Sequence, residues 1–211
     1  MEILPTREVP VELNISGAPA EGFLATGVTE CSIEKVVVAG SASALANFKK
    51  ISIPAEQLDI TGAVGNVETV VNLRDYLPLG VRFADNGFNS RAAITIYVEP
   101  EIKRSMPISQ EKIKVSGLPD HLDYRYTMPN QNYRLLVSGL GADVSAMTLE
   151  DINCVVDVEK WMEEENLSRL LPGTYEFPVD IAFIPDSVLA EKIKMENEIS
   201  VRLIIEEVEE E

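Results

Sequence analysis

Ile15-Ser16-Gly17-Ala18-Pro19 returns as Val115-Ser116-Gly117-Leu118-Pro119, and Gly117 minus Gly17 gives a register of 100. Working outward, Val36-Val37-Val38-Ala39-Gly40 returns as Leu135-Leu136-Val137-Ser138-Gly139 at a register of 99. Gly65-Asn66-Val67-Glu68-Thr69-Val70-Val71 aligns with Gly173-Thr174-Tyr175-Glu176-Phe177-Pro178-Val179 at 108, and Ile94 to Val98 aligns with Val201 to Ile205 at 107. Four blocks in the same order at nearly constant spacing argue for a tandem repeat, because chance matches do not keep order. Such a repeat points to a binding or spacing module, since an enzyme rarely needs its site twice.

The repeat divides the 211 residues into two units of about a hundred, 7–100 and 101–208. A unit of that size buries roughly 60–65% of its unfolded surface, enough for one modest core without metal or disulfide support. Hydrophobic residues make up 45% of the chain and charged residues 25%, a soluble globular balance that argues against disorder. Cys31 and Cys154 fall one per unit at non-equivalent positions, so both are expected to be free thiols in or near the cores.

Net charge is −17, with −5 on residues 1–100 (7 basic, 12 acidic) and −12 on residues 101–211 (11 basic, 23 acidic). Such a surface repels phosphate backbones and anionic headgroups, so neither nucleic acid nor a lipid surface is expected as a partner. No run of about 18 apolar residues exists, and Met1-Glu2-Ile3-Leu4-Pro5 does not read as a signal peptide. The run Glu206 to Glu211 reads as a solvated, frayed tail.

The dominant period is two. Val9, Val11, Leu13 and Ile15 alternate with Pro10, Glu12 and Asn14, the pattern of a half-buried strand. Val36 to Val38, Val67 to Leu73 and Ala92 to Val98 are β-branched and also read as strands. The second unit offers Ile113 to Val115, Tyr124 to Met128, Tyr133 to Ser138, Ile152 to Val158, Thr174 to Ile181 and Ile199 to Ile205. Ser41 followed by Ala42 to Phe48 predicts a capped two-turn helix, and Ala142 to Ala146 predicts its counterpart. Asp85-Asn86-Gly87 marks a tight turn, and Glu99-Pro100-Glu101 a short connector between units. The register grows from 101 (Ile152 minus Ile51) to 108, which places about seven extra residues in the second unit. This insert, near 159–169, reads as helical, with Trp161 and Leu167 packed down and Glu163 to Glu165 wet. Trp161 then serves as a lid on its own core rather than as a partner-binding anchor.

Motifs of chemistry are absent. The single histidine, His121, beside the Pro119-Asp120 turn, cannot build a multi-histidine metal site or a hydrolase relay. Gly139-Leu140-Gly141 follows a strand but lacks the third glycine of a dinucleotide loop, and no P-loop or EF-hand loop occurs. No catalytic, cofactor-binding or metal-ligating residue is nominated, no cofactor is expected, and the binding residues stay open.

Val11 to Phe23, Val36 to Gly40, Val64 to Leu73 and Ala93 to Val98 resemble the YbbR-like repeat. That unit has a strand ending in a small-Gly-x-Pro turn, a V-x-V-x-G strand leading to a short helix, and a closing V-x-V-x-V strand. The resemblance covers nearly all of residues 7–100 and, more loosely, 101–208. It implies a non-catalytic regulatory module whose partner is a membrane diadenylate cyclase, the enzyme that makes cyclic di-AMP. It also implies an extracytoplasmic location in a parent anchored by an N-terminal membrane helix; this chain lacks the helix and shows only two repeats.

The expected fold is therefore mostly β: two tandem units, each a small twisted sheet or barrel-like fold with one short helix. The expected function is protein interaction without catalysis. Its rivals are a structural cell-surface spacer or adhesin-like module and, further off, an envelope carbohydrate-processing enzyme.

Overall fold

Residues 4–208 are described in a computed structural model. The chain divides after Pro100 into two compact units. The first contains β1 (Thr6–Leu13), β2 (Phe23–Cys31), β3 (Lys35–Gly40), α1 (Ala42–Asn47), β4 (Ile51–Ile53), β5 (Val67–Asn72), β6 (Val81–Phe83) and β7 (Arg91–Pro100). The second contains β8 (Ile102–Ser109), β9 (Ile113–Ser116), β10 (Leu122–Tyr126), β11 (Asn132–Gly139), α2 (Gly141–Ala146), β12 (Ile152–Asp157), α3 (Val158–Glu164), β13 (Gly173–Phe183), β14 (Ile193–Met195) and β15 (Ile199–Glu207). The architecture is mostly β with a few short helices.

In the first unit the sheets run β4–β1–β3–β6 and β2–β7–β5. Strand β1 changes partner halfway: Thr6 to Pro10 pair antiparallel with β3, then Val11 to Leu13 pair parallel with β4. The second unit makes the same two pairings with two strands. β8 lies antiparallel to β11 and β9 parallel to β12, the two being separated by the 3₁₀ turn Gln110–Lys112. Its sheets run β14–β11–β8 and β10–β15–β13–β12–β9.

The pairing registers match the sequence registers. Thr69↔Ile94 and Val71↔Ala92 in the first unit correspond to Phe177↔Val201 and Val179↔Ile199 in the second, at 108 and 107. Leu13↔Ile53 corresponds to Ile113↔Cys154, so Cys154 holds the core position of Ile53 and is equally buried. Both cysteines are free; the half-buried Cys31 thiol donates to the Ile33 carbonyl at 3.1 Å.

One pairing differs. β13 runs on to Phe183 and pairs with β12, which brings β12 and β9 into one sheet with β15 and β10. In the first unit the chain leaves β5 at Asn72, whose side chain accepts from the Arg74 amide, and turns into the 3₁₀ segment Leu73–Tyr76 with Leu73 fully buried. An asparagine that bonds its own backbone two residues on ends the strand here.

The repeated glycines answer to two constraints. Gly17 and Gly117 have φ of +81° and +72°, and a Cβ at either would lie 2.8 Å from the amide nitrogen of Thr61 or Glu159. Gly40 and Gly139 close β3 and β11 where another segment crosses; a Cβ would stand 2.8 Å from the carbonyl oxygen of Gly80 or Lys192. Both helices are also tied to the first strand by arginine. Arg7 donates to the Leu45 carbonyl at 2.9 Å, and Arg104 donates to those of Val144 and Met147 at 2.6 and 2.7 Å. Each guanidinium meets carbonyls the helix leaves unpaired at its C-terminus.

Several expectations need correction. Ile15 lies beyond β1 and is 42% exposed, because the chain has already left the sheet for the Gly17 turn. β2, β4, β6, β8 and β14 were not foreseen. β2 is an edge strand with a bulge between Ala25 and Thr29 that breaks its alternation, and β8 begins with the polar run Lys103-Arg104-Ser105. Glu99 and Pro100 belong to β7, so Glu101 alone separates it from β8. Met128 lies outside β10 at 64% exposure. Val158 opens α3 instead of closing a strand, and Leu167, beyond the helix, is 40% exposed rather than packed down. Glu206 and Glu207 are paired in β15 with Asp123 and Leu122 rather than frayed, while Glu209 to Glu211 lie outside the described residues.

The crowding at Gly40 and Gly139 has a measurable cost. Gly40→Ala and Gly139→Ala should each destabilise by about 1–3 kcal/mol in urea unfolding, the usual cost of overpacking. Gly65→Ala, with nothing within 4 Å of the new methyl, should stay within about 0.5 kcal/mol of the parent.

Candidate functional site

The parallel pairs fix where the units diverge. Ser16 bridges Asp59, and Ser116 pairs with Asp157, so the two aspartates are equivalent. Asp59 accepts from the Thr61 amide at 2.9 Å and closes a turn; Asp157 accepts from the Lys160 amide at 3.0 Å and caps α3. Between Ile53 and Asp59 the first unit holds three extra residues, taken up by the 3₁₀ turn Ala55–Gln57. After Asp157 the second unit needs 16 residues to reach Gly173, where the first needs 6 from Asp59 to Gly65, an insert of ten. The net excess of seven thus combines two changes of opposite sign.

The insert helps to line an open cleft of about 740 Å³ between α3, β13 and residues 195–199. Trp161 lies on its wall, edge-on to Phe177 at 4.6 Å and to Tyr175 at 5.7 Å between ring centroids. Trp161 is half-buried and packs on the second unit's core, so it is a lid on that core. Five acidic residues line the cleft, Asp157, Glu164, Asp180, Glu196 and Glu198, against one base, Lys160. Lys160 donates to Asp180 at 2.8 Å, and that hydrogen bond, with the carboxylate's charge, raises the ammonium above its ordinary pKa. Asp180, Glu164 and Glu198 are exposed.

Glu196 is the best-held carboxylate there. It accepts from the buried Ser138 hydroxyl at 2.7 Å and faces Lys194 at 3.3 Å and Lys103 at 3.6 Å. The Ser138 hydrogen bond, then that of Lys194, holds its pKa below the ordinary 4.5. Its role is to satisfy a buried hydroxyl between β11 and β14.

The other sequence candidates do not meet. His121 is exposed in its turn. Glu163, Glu164 and Glu165 lie exposed at the end of α3. Gly139 ends β11 and Gly141 opens α2, a helix of six residues. Among the described residues no three histidine, cysteine or carboxylate side chains are grouped to hold a metal ion, and no helix is long and apolar enough to cross a membrane. Sequence reading missed the row Glu30–Thr95–Glu68 on the outer face of β2–β7–β5. Its members are far apart in the chain, and β2 itself was not foreseen.

Fold and site define a tandem β-repeat protein whose clefts are open. The model of the YbbR-like protein family matches residues 9–96, a stretch within the first unit, which is similar to that family. No curated protein matches. Among solved structures, that of SuR18C from Streptococcus thermophilus is 19% identical, covers 46% of this chain and 86% of its own, with a TM-score of 0.36. A YbbR-like protein from Streptococcus pneumoniae TIGR4 is 13% identical, covers 99% of this chain and 98% of its own, with a TM-score of 0.30.

Two measurements check the site. Trp161→Ala should destabilise the second unit by about 2–3 kcal/mol, below the cost of a fully buried aromatic, with Trp161→Phe recovering most of it; an unchanged denaturation midpoint would mean that Trp161 is not a lid. Because the folded pKa of Glu196 is depressed, its contribution is present above 4.5 and is lost as pH falls through the folded value. Thermal unfolding followed from neutral to acid pH should therefore fall less steeply in Glu196→Gln than in the parent.

Proposed function

We propose that this chain is a non-catalytic interaction module that modulates a membrane diadenylate cyclase through protein contacts, outside the cytoplasmic membrane and in an anchored parent. The YbbR-like match over residues 9–96 carries the reading. The YbbR-like family is not a known catalytic family, and the acidic, open cleft of the second unit suits contact better than turnover. Partner binding would use strand edges and outer sheet faces, which the small sheets of the first unit leave open. The second reading is a structural spacer, favoured by the repetition of one pairing scheme in both units.

An anchored form of the chain, co-expressed with the host's diadenylate cyclase, is expected to change cyclic di-AMP output relative to the anchor alone. Equal cyclic di-AMP in the two would remove the regulatory role and leave the spacer.

A further inference from the structure

The outer face of β2–β7–β5 differs from its counterpart in the second unit at one decisive point. There, Arg202 on β15 stands between Glu176 on β13 and Thr127, and donates to Glu176 at 3.1 Å; Ser200 donates to the same carboxylate at 2.7 Å. At the registers of 107 and 108, Arg202 corresponds to Thr95, Ser200 to Ala93 and Glu176 to Glu68. Glu30 pairs with Thr95 from the other side, where the second unit has Thr127. The first unit therefore sets two exposed glutamates on either side of a threonine, where the second unit supplies its own guanidinium. Neither Glu30 nor Glu68 forms an ion pair among the described residues. Arg91, the arginine of that strand, sits four pairs away opposite Asn72.

Two further features of the face fit an arginine-bearing occupant. Tyr97 lies on the same side of β7, two residues beyond Thr95. Glu30, then partial burial and the charges of Glu30 and Glu68, raise its hydroxyl pKa, in keeping with the two glutamates paired opposite neighbouring Thr95. On the other side Val70, 56% exposed, pairs with exposed Ala93 and supplies apolar surface. A tyrosine ring, two carboxylates and a small apolar patch suit a planar guanidinium with its aliphatic stem, which can stack on the ring while its fork bonds the carboxylates.

We propose that this face, centred on Glu30–Thr95–Glu68 with Tyr97 beside it, is a docking surface for an arginine-bearing protein segment. The inference deepens the interaction-module reading and rests on it. The second unit, with Arg202 in place, is closed to the same partner.

The test uses the ¹⁵N-labelled 211-residue chain titrated with acetyl-triarginine amide, with trilysine and triglutamate as matched probes. Triarginine should give saturable, roughly millimolar shifts confined to the amides around Glu30, Glu68, Thr95 and Tyr97. Thr95→Arg, which supplies the guanidinium from within, should weaken that association more than tenfold without lowering the melting temperature, and Glu68→Gln should act in the same direction. Shifts spread over both units, or unaltered by Thr95→Arg, would overturn the proposal; trilysine binding as tightly as triarginine would overturn its guanidinium part. No cyclase enters this titration, so its failure leaves the cyclic di-AMP comparison standing, and a negative cyclase result leaves the titration interpretable.

Discussion

Each unit depends on a first strand that changes partners. In the first unit the amino-terminal half of β1 is held antiparallel by β3 and the carboxy-terminal half parallel by β4. In the second unit β8 and β9 divide the same work across a 3₁₀ turn. A strand that serves two neighbours in succession must end abruptly once the second is satisfied, and the Gly17 and Gly117 turns do this with positive φ. Their missing Cβ atoms let the chain pass against the segment after β4 or β12. The side chains of Val9, Ile51 and Ile53, or of Met106, Ile113 and Ile152, are buried around this junction. Each fully buried side chain of this kind contributes roughly 1.5–3 kcal/mol, so the junction anchors the core as well as the topology.

Much of this was legible in the sequence, because glycines and β-branched runs recur where the backbone geometry admits little else. The registers of 99, 107 and 108 reappear as hydrogen-bonding registers, and the capped helix after Gly40 stands where Ser41 places it. What escaped was carried by residues whose neighbours differ between the units. Arg7 and Arg104 perform the same task, but Thr6-Arg7-Glu8 and Lys103-Arg104-Ser105 share nothing else. β2 carries Gly27 within a bulge, so its period of two is interrupted. The insert's length, read from the sequence, was the difference of two opposed changes, which only the pairing of Asp59 and Asp157 with equivalent serines separates.

The two units keep one scaffold and differ in how they close it. The second extends one sheet across β13 to β12 and β9, lays α3 with Trp161 over its core and neutralises Glu176 with Arg202. The first ends β5 early, has no helix there and leaves Glu30 and Glu68 without a counter-ion among the described residues. Such divergence within a repeat suits a protein whose units have different neighbours. A −17 chain with weak self-neutralisation on one face is better placed to meet a basic partner than a polyanion.

The partner change is most directly tested by the pattern of nuclear Overhauser effects in the uniformly labelled chain. Leu13 against Ile53 and Ile113 against Cys154 should show the slanted amide-to-Hα contacts of parallel pairs, while Val9 against Val36 and Met106 against Leu135 show an antiparallel pattern. Close Hα–Hα contacts at the first two pairs, or parallel contacts in one unit alone, would contradict a shared two-partner strand and with it the common architecture of the units.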